Sequence, residues 1–244
     1  MMMITQKALL TRPISESLKL QQKLELLGIN SEISPVLEIE KNSFEINAAT
    51  FESYQAIIIS SKYTARYLKN IPDNIPIYSI GGATTLSLEE QNLTVSATAE
   101  ENSLSLYKLL KANSSATTKF IHVGGKNISD NFQKYILNSD LNVDHVSVYQ
   151  AVAQKALSPK AINALKNNAL STVFLFSPRS GEIFESLCER EALTDRLKTI
   201  TALCLASTVV KSLGKNKWQA IEIANHANTA SMIEKYTDLI KSQE

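Results

Sequence analysis

The sequence predicts an α/β fold made of two similar, doubly wound parallel-sheet domains with a ligand cleft between them. Short apolar runs alternate with segments of helical period along nearly the whole chain. No Asn-Gly hairpin signal breaks that alternation, and one part of the chain repeats the order of another. At 244 residues, each half is long enough to bury a core of its own.

The first apolar run, KALLT at residues 7–11, precedes a helical pattern over about residues 15–27, with Leu18, Leu20, Leu24 and Leu27 on or near one face. Gly28 stands where a C-terminal cap glycine belongs. SEISPVLEI then reads as one extended piece with Pro35 inside it. QAIIIS at 55–60 is continuously apolar, as a strand buried on both faces should be, and SKYTARYL reads as the start of a helix. The strand PIYSI, the helix ATTLSLEEQ and the strand TVSA follow, then a helix from about Ser103 to Leu110 and a loop at SSATT. KFIHV (119–123), a helix around residues 130–137 and VDHVSVY (143–149) continue the alternation. The last third supplies strands at TVFLF, TITALCL and AIEIA, with helices after SPRSG, from STVVKSL, and over about residues 229–240.

The duplication is visible in the loops. IISSKYTARYL and YSIGGATTLSL parallel LFSPRSGEIF and ALCLASTVVKSL, so that Ser61 matches Ser177 and Thr84 matches Thr208. A shorter echo links LLTRPISESLKLQQKLELLG with IHVGGKNISDNFQKYIL. These turns all follow strands, where open α/β sheets place their ligands.

A glycine after a strand lets the backbone approach a ligand, and a Ser or Thr at a helix start adds a hydroxyl to the free amides of the first turn. Such a turn suits a carboxylate or a phosphate. The same hydroxyls also serve as plain helix caps, and both readings stand for Ser61, Thr84, Ser177 and Thr208. Lys62, and Arg179 in the SPRSG turn, add positive charge beside the serines, and Arg12 in LTRP occupies a comparable turn. Arg66 reads as a residue facing water. With Gly82 and Gly124 from the two Gly-Gly turns, the candidate binding set is Arg12, Ser61, Lys62, Gly82, Thr84, Gly124, Ser177, Arg179 and Thr208. Tyr149 ends VSVY and either packs a hinge or presents its phenol as a donor.

Other chemistries find no footing. VGGK lacks the spacing of a phosphate loop, and no GxGxxG or G-x-S-x-G occurs. His122, His145 and His226 are far apart in sequence and form no triad or metal set, so a structural or exposed role is expected for each. A balance of 25 basic against 24 acidic residues, with no basic run, argues against a nucleic-acid partner. Cys188 and Cys204 are too few for a disulfide framework, and no apolar stretch is long enough to span a membrane, so a cytoplasmic protein is expected.

Taken in order, LLTRP, the Ser-Ser turn after AIII, I-G-x-x-T at 80–84, the Gly-Gly turn at 124–125, VY at 148–149, FSPRS at 176–180 and C-L-x-x-T at 204–208 resemble uroporphyrinogen-III synthases. The resemblance implies a discontinuous domain of residues 1–37 and 152–244, an inserted domain of 38–148, and a two-segment linker near 36–40 and 147–153. It implies a lyase that needs no metal or organic cofactor and cyclises hydroxymethylbilane with inversion of ring D and loss of water. Tyr149 would then assist departure of the hydroxyl, and Ser61, Thr84, Ser177 and Thr208 would bind the acetate and propionate side chains. It further implies a monomer, and with an unstable substrate a transient contact with the enzyme that supplies it is a possible partnership that the sequence does not decide. The alternative is a noncatalytic protein that binds a tetrapyrrole or another polycarboxylate.

Overall fold

The structure is a computed structural model that describes residues 7–43, 46–100, 102–214 and 216–242. The chain divides into two compact units, Met1–Glu38 with Val152–Glu244, and Ile39–Ala151.

In the first unit β1 (Lys7–Leu10), β2 (Ser31–Ile33), β9 (Leu170–Leu175), β10 (Thr201–Cys204) and β11 (Ala220–Ile223) form a sheet in the order β11-β10-β9-β1-β2. All four neighbouring pairs are parallel. Alternation along each strand divides the core between two faces. Leu9, Val173, Leu175, Ala202 and Cys204 meet α5 (Pro159–Lys166), α6 (Pro178–Arg190) and α7 (Ser207–Ser212), while Ala8, Leu10, Phe174 and Leu203 meet α1 (Ile14–Glu25) and α8 (Thr229–Lys241).

The second unit carries β3 (Leu37–Lys41), β4 (Ala56–Ile59), β5 (Ile77–Ile80), β6 (Ala97–Ala99), β7 (Lys119–Gly125) and β8 (Asn142–Ala153) in the order β3-β8-β7-β4-β5-β6. The pairs from β8 to β6 are parallel. Ile57, Ile59, Ile121 and Val123 pack with Phe51, Leu68 and Leu88, the last from α2 (Gly82–Glu89). Ala56, Ile58 and Phe120 pack on the other face with Leu106 and Leu110 of α3 (Ser103–Ala112) and Phe132 of α4 (Asp130–Leu137). Burial on both faces is why AIII reads as an unbroken apolar run.

The duplication in sequence is a duplication in topology. The order β6-β5-β4-β7-β8 matches β11-β10-β9-β1-β2 position for position, so β4 corresponds to β9, β5 to β10 and β7 to β1. The first-third strands β1 and β2 complete the sheet begun by the last third.

Several expected elements differ. SKYTARYL forms only a 3-10 turn at Ala65–Tyr67, because Leu68 is already extended and Asn70 has a φ of 54° ahead of Pro72. SEISPVLEI divides at Pro35 into β2 and β3, which join different sheets. The strand expected at TVSA lies later, at Ala97–Ala99. The inward stripe of α1 is Ser17, Leu20 and Leu24, whereas Leu18 and Leu27 are exposed. Helix α5 had no counterpart in the sequence reading, although Ser158 accepts a hydrogen bond from the Ala161 N–H and Pro159 opens the first turn, a recognisable start.

Candidate functional site

Each sheet has one place where the chain leaves adjacent central strands in opposite directions. In the second unit β4 leads to β5 on one side and β7 leads to β8 on the other, and a crevice forms beyond their carboxyl ends. Ser60 and Ser61 follow β4 there, next to Gly124 and Gly125 at the end of β7.

Tyr149 reaches this crevice from β8. Its phenol donates a 2.8 Å hydrogen bond to Ser61 Oγ, which also accepts a 3.3 Å bond from the Tyr63 N–H. The ring of Tyr149 lies between Tyr63, edge-on at 6.1 Å, and Tyr67, stacked at 6.0 Å. Beneath it is Gly125, where a Cβ would stand 2.7 Å from ring carbon Cε2 and 3.0 Å from the phenol oxygen. The ring occupies this place because residue 125 has no side chain. Burial raises the phenol pKa, against the opposing pull of the Ser61 hydrogen bond, so the group is protonated and available as a donor.

The Gly-Gly turns needed closer resolution than sequence allowed. At 81–82 it is Gly81 that takes the left-handed φ of 73°, while the candidate Gly82 is simply the first residue of α2. At 124–125 the candidate Gly124 faces His122, 3.3 Å from where its Cβ would be, and Gly125 faces Tyr149.

The paired hydroxyls are not equivalent. Ser177 caps α6 in a reciprocal box with Ser180, its hydroxyl accepting from the Ser180 N–H at 3.1 Å. Ser61 caps nothing and holds Tyr149. Neither Thr84 nor Thr208 is a cap residue, since Gly81 and Ala206 occupy those positions. Thr84 is buried, at 6% exposure, and Thr208 is exposed. Helix α7 starts one residue later relative to its strand than α2 does, so Thr84 falls where Val209 falls in the other unit.

In the first unit the corresponding crevice lies between β1 and β9. Arg12 follows β1, and its guanidinium sits 4.5 Å over the Phe176 ring, beside Ser177, while pairing with Glu16 at 3.0 Å. Arg179 is the second residue of α6 and not a loop residue, because the helix begins at Pro178. Lys62, in the second unit, has its ammonium 5.6 Å from the centre of the Tyr63 ring.

Parallel pairing also joins two histidines that are 23 positions apart in sequence. His122 and His145 face each other across β7 and β8, with Nδ1 atoms 3.1 Å apart, and His122 Nε2 lies 2.7 Å from Ser60 Oγ. Burial, reinforced by the charge of His145, pushes the His122 pKa down to about 3. The signal was the matched place of both histidines on consecutive parallel strands. Among the described residues, no group of three or more His, Cys, Asp or Glu side chains could hold a metal. Burial pushes the thiols of Cys188 and Cys204 up to about 12, which leaves neither as a ready nucleophile.

Among the described residues no helix is long and apolar enough to cross a membrane. A search of curated proteins finds no match. The fold resembles the crystal structure of uroporphyrinogen-III synthetase from Helicobacter pylori, at 16% identity and a TM-score of 0.65 over 96% of this chain and 99% of that one. A mutant uroporphyrinogen III synthase from the extremely thermophilic bacterium Thermus thermophilus is also similar, at 13% identity and a TM-score of 0.55 over 97% and 99% of the two chains. The family model described as uroporphyrinogen-III synthase HemD matches residues 19–234, so the order of strand-end motifs has its explanation: the chain belongs to the uroporphyrinogen-III synthase family.

Proposed function

We propose that the protein is the cyclising lyase that converts hydroxymethylbilane to uroporphyrinogen III, inverting ring D and releasing water, with Tyr149 as its catalytic donor. The observation that carries the residue assignment is the protonated phenol at the β4–β7 crevice, hydrogen-bonded to Ser61 and seated on Gly125.

The reaction needs little covalent help. The pyrrole nitrogen of ring A supplies the electrons that expel the hydroxyl, and the leaving oxygen needs only a hydrogen bond or proton. Tyr149 supplies it. Burial raises the cost of a phenolate, so donation is concerted and the proton released when the new carbon–carbon bond forms returns to the phenol. Tyr149 is thus restored in each cycle. The remaining task is orientation, since ring D must present its substituted carbon to the electrophile, and binding energy at the carboxylate arms does this work.

Arg12, Ser177, Arg179 and Thr208 in one unit, with Ser61, Lys62, Thr84 and the backbone at Gly82 and Gly124 in the other, are the proposed carboxylate contacts. All but Gly124, the next-to-last residue of β7, follow carboxyl ends of strands. Ser177 contributes mainly by fixing the first turn of α6, since its own hydroxyl is engaged in the cap. We further place the enzyme in the cytoplasm as a monomer that takes its substrate in transient contact with the enzyme that makes it.

Hydroxymethylbilane generated in situ tests the reading. The protein should yield predominantly the type III isomer of uroporphyrin after oxidation. Type I alone, beside an active control synthase, would overturn it.

A further inference from the structure

A cavity of about 420 Å³ opens in the second unit beside Tyr149, lined by Lys41, Asn47, Arg66, Tyr67, Lys69 and Asn70. Ile46 and Val148 also line it, both buried. Its size is within the ~300–1,000 Å³ span of small-molecule sites.

The charged side chains of the lining are all cationic. Among the described residues no carboxylate lines the cavity, and neither Arg66 nor Lys69 makes an ion pair there. Asn47, also in the lining, commits its carbonyl oxygen to the Thr50 N–H and hydroxyl. Cations gathered over an apolar floor repel one another, and an anion relieves that repulsion. Past the 3-10 turn at Ala65–Tyr67 the chain is already extended at Leu68, and Arg66 and Lys69 both line this cavity.

We propose that this cavity is a carboxylate-binding subsite that takes the acid side chains of one pyrrole ring of the tetrapyrrole. The assignment rests on the proposed function. Tyr67 connects the two places, because it lines the cavity and stacks on the ring of Tyr149 at 6.0 Å. A ring anchored here is held next to the phenol, and Arg66 and Lys69 act on binding and orientation and not on bond breaking.

The test titrates uroporphyrin III, a stable octacarboxylate, into the wild type, the Arg66→Ala/Lys69→Ala double variant and the charge-conserving Arg66→Lys/Lys69→Arg variant, with Lys23→Ala as a control on an exposed cation elsewhere. Two charge-assisted contacts predict at least about a tenfold loss of affinity in the double alanine variant, a shallower salt dependence, and substantial recovery with the charges restored. In turnover, KM rises while kcat stays within about twofold. Affinity and KM within twofold of wild type in the double alanine variant, while wild type still makes type III product, would overturn the subsite alone. A wild type that neither binds uroporphyrin nor makes type III product would overturn the proposed function from which it follows.

Discussion

Tyr149 combines two demands that usually conflict, because a buried phenol must find a partner and a catalytic donor must be able to change partners. Ser61 meets the first demand with a rotatable hydroxyl that can release the phenol to a substrate oxygen. Tyr149→Phe should therefore lower the rate of type III formation by about 10²-fold, in the range of general acid catalysis, and shift stability by less than about 1 kcal/mol. Single-turnover kinetics with a denaturant titration would separate the two effects. Gly125→Ala tests the seat of the ring, since a Cβ 2.7 Å from it forces displacement. A loss of about 1–3 kcal/mol with a fall in turnover is expected, and unchanged turnover would show that the ring position does not matter. His122 gives a pH signature. Its folded pKa, about 3, lies below the unfolded value of 6.5, so between these limits the unfolded state binds more protons. Stability is full above pH 6.5 and falls as the pH drops toward 3, by at most about 1.4 kcal/mol per pH unit from this group. His122→Gln should flatten that slope in a series of melting curves, and an unaltered slope would assign it to carboxylates.

At the scale of the element, capping and ligand binding can be told apart because the matched hydroxyls have separated. Ser177→Ala removes the reciprocal cap of α6 and should cost about 1 kcal/mol. Thr208→Ala removes an exposed hydroxyl that caps nothing and should leave stability within about 0.5 kcal/mol. A rise in KM from Thr208→Ala would then report a lost ligand contact directly, and unchanged kinetics would remove Thr208 from the binding set. The middle of α6 has a different anchor. Glu185, only 7% exposed, accepts hydrogen bonds from Trp218 Nε1 at 2.7 Å, the Gly214 N–H at 3.0 Å and Lys217 Nζ at 3.1 Å. It ties the helix to the segment between α7 and β11. Glu185→Ala would orphan the buried Trp218 N–H and the half-buried Gly214 N–H and should destabilise the fold by roughly 3 kcal/mol, without the change in isomer ratio expected of a site residue.

At the scale of the whole molecule, each unit closes its own sheet and fills both faces with its own helices. Residues 39–151 are continuous in the chain and should fold when expressed alone, with one cooperative unfolding transition and the near-ultraviolet signature of packed tyrosines. A molten or aggregated product would mean that the remaining chain supplies part of that core. The sequence by itself determined the alternation of strands and helices, the two-fold repeat and the strand-end motifs, because these are written in local periodicity and in the residues that turns and caps require. It carried the Tyr149 and Ser61 positions as motifs, but not their contact, which spans 88 positions. Only the tertiary structure decided that Gly81 and Gly125 are the most constrained glycines of the two turns, while Gly82 has open space where a Cβ would be. It alone paired His122 with His145 and set Arg66, exposed as the sequence suggests, at the rim of a cavity. The reason is register: parallel pairing brings distant residues together through crossovers whose length and end point no local pattern encodes, so a residue's face and neighbours follow from the closed sheet.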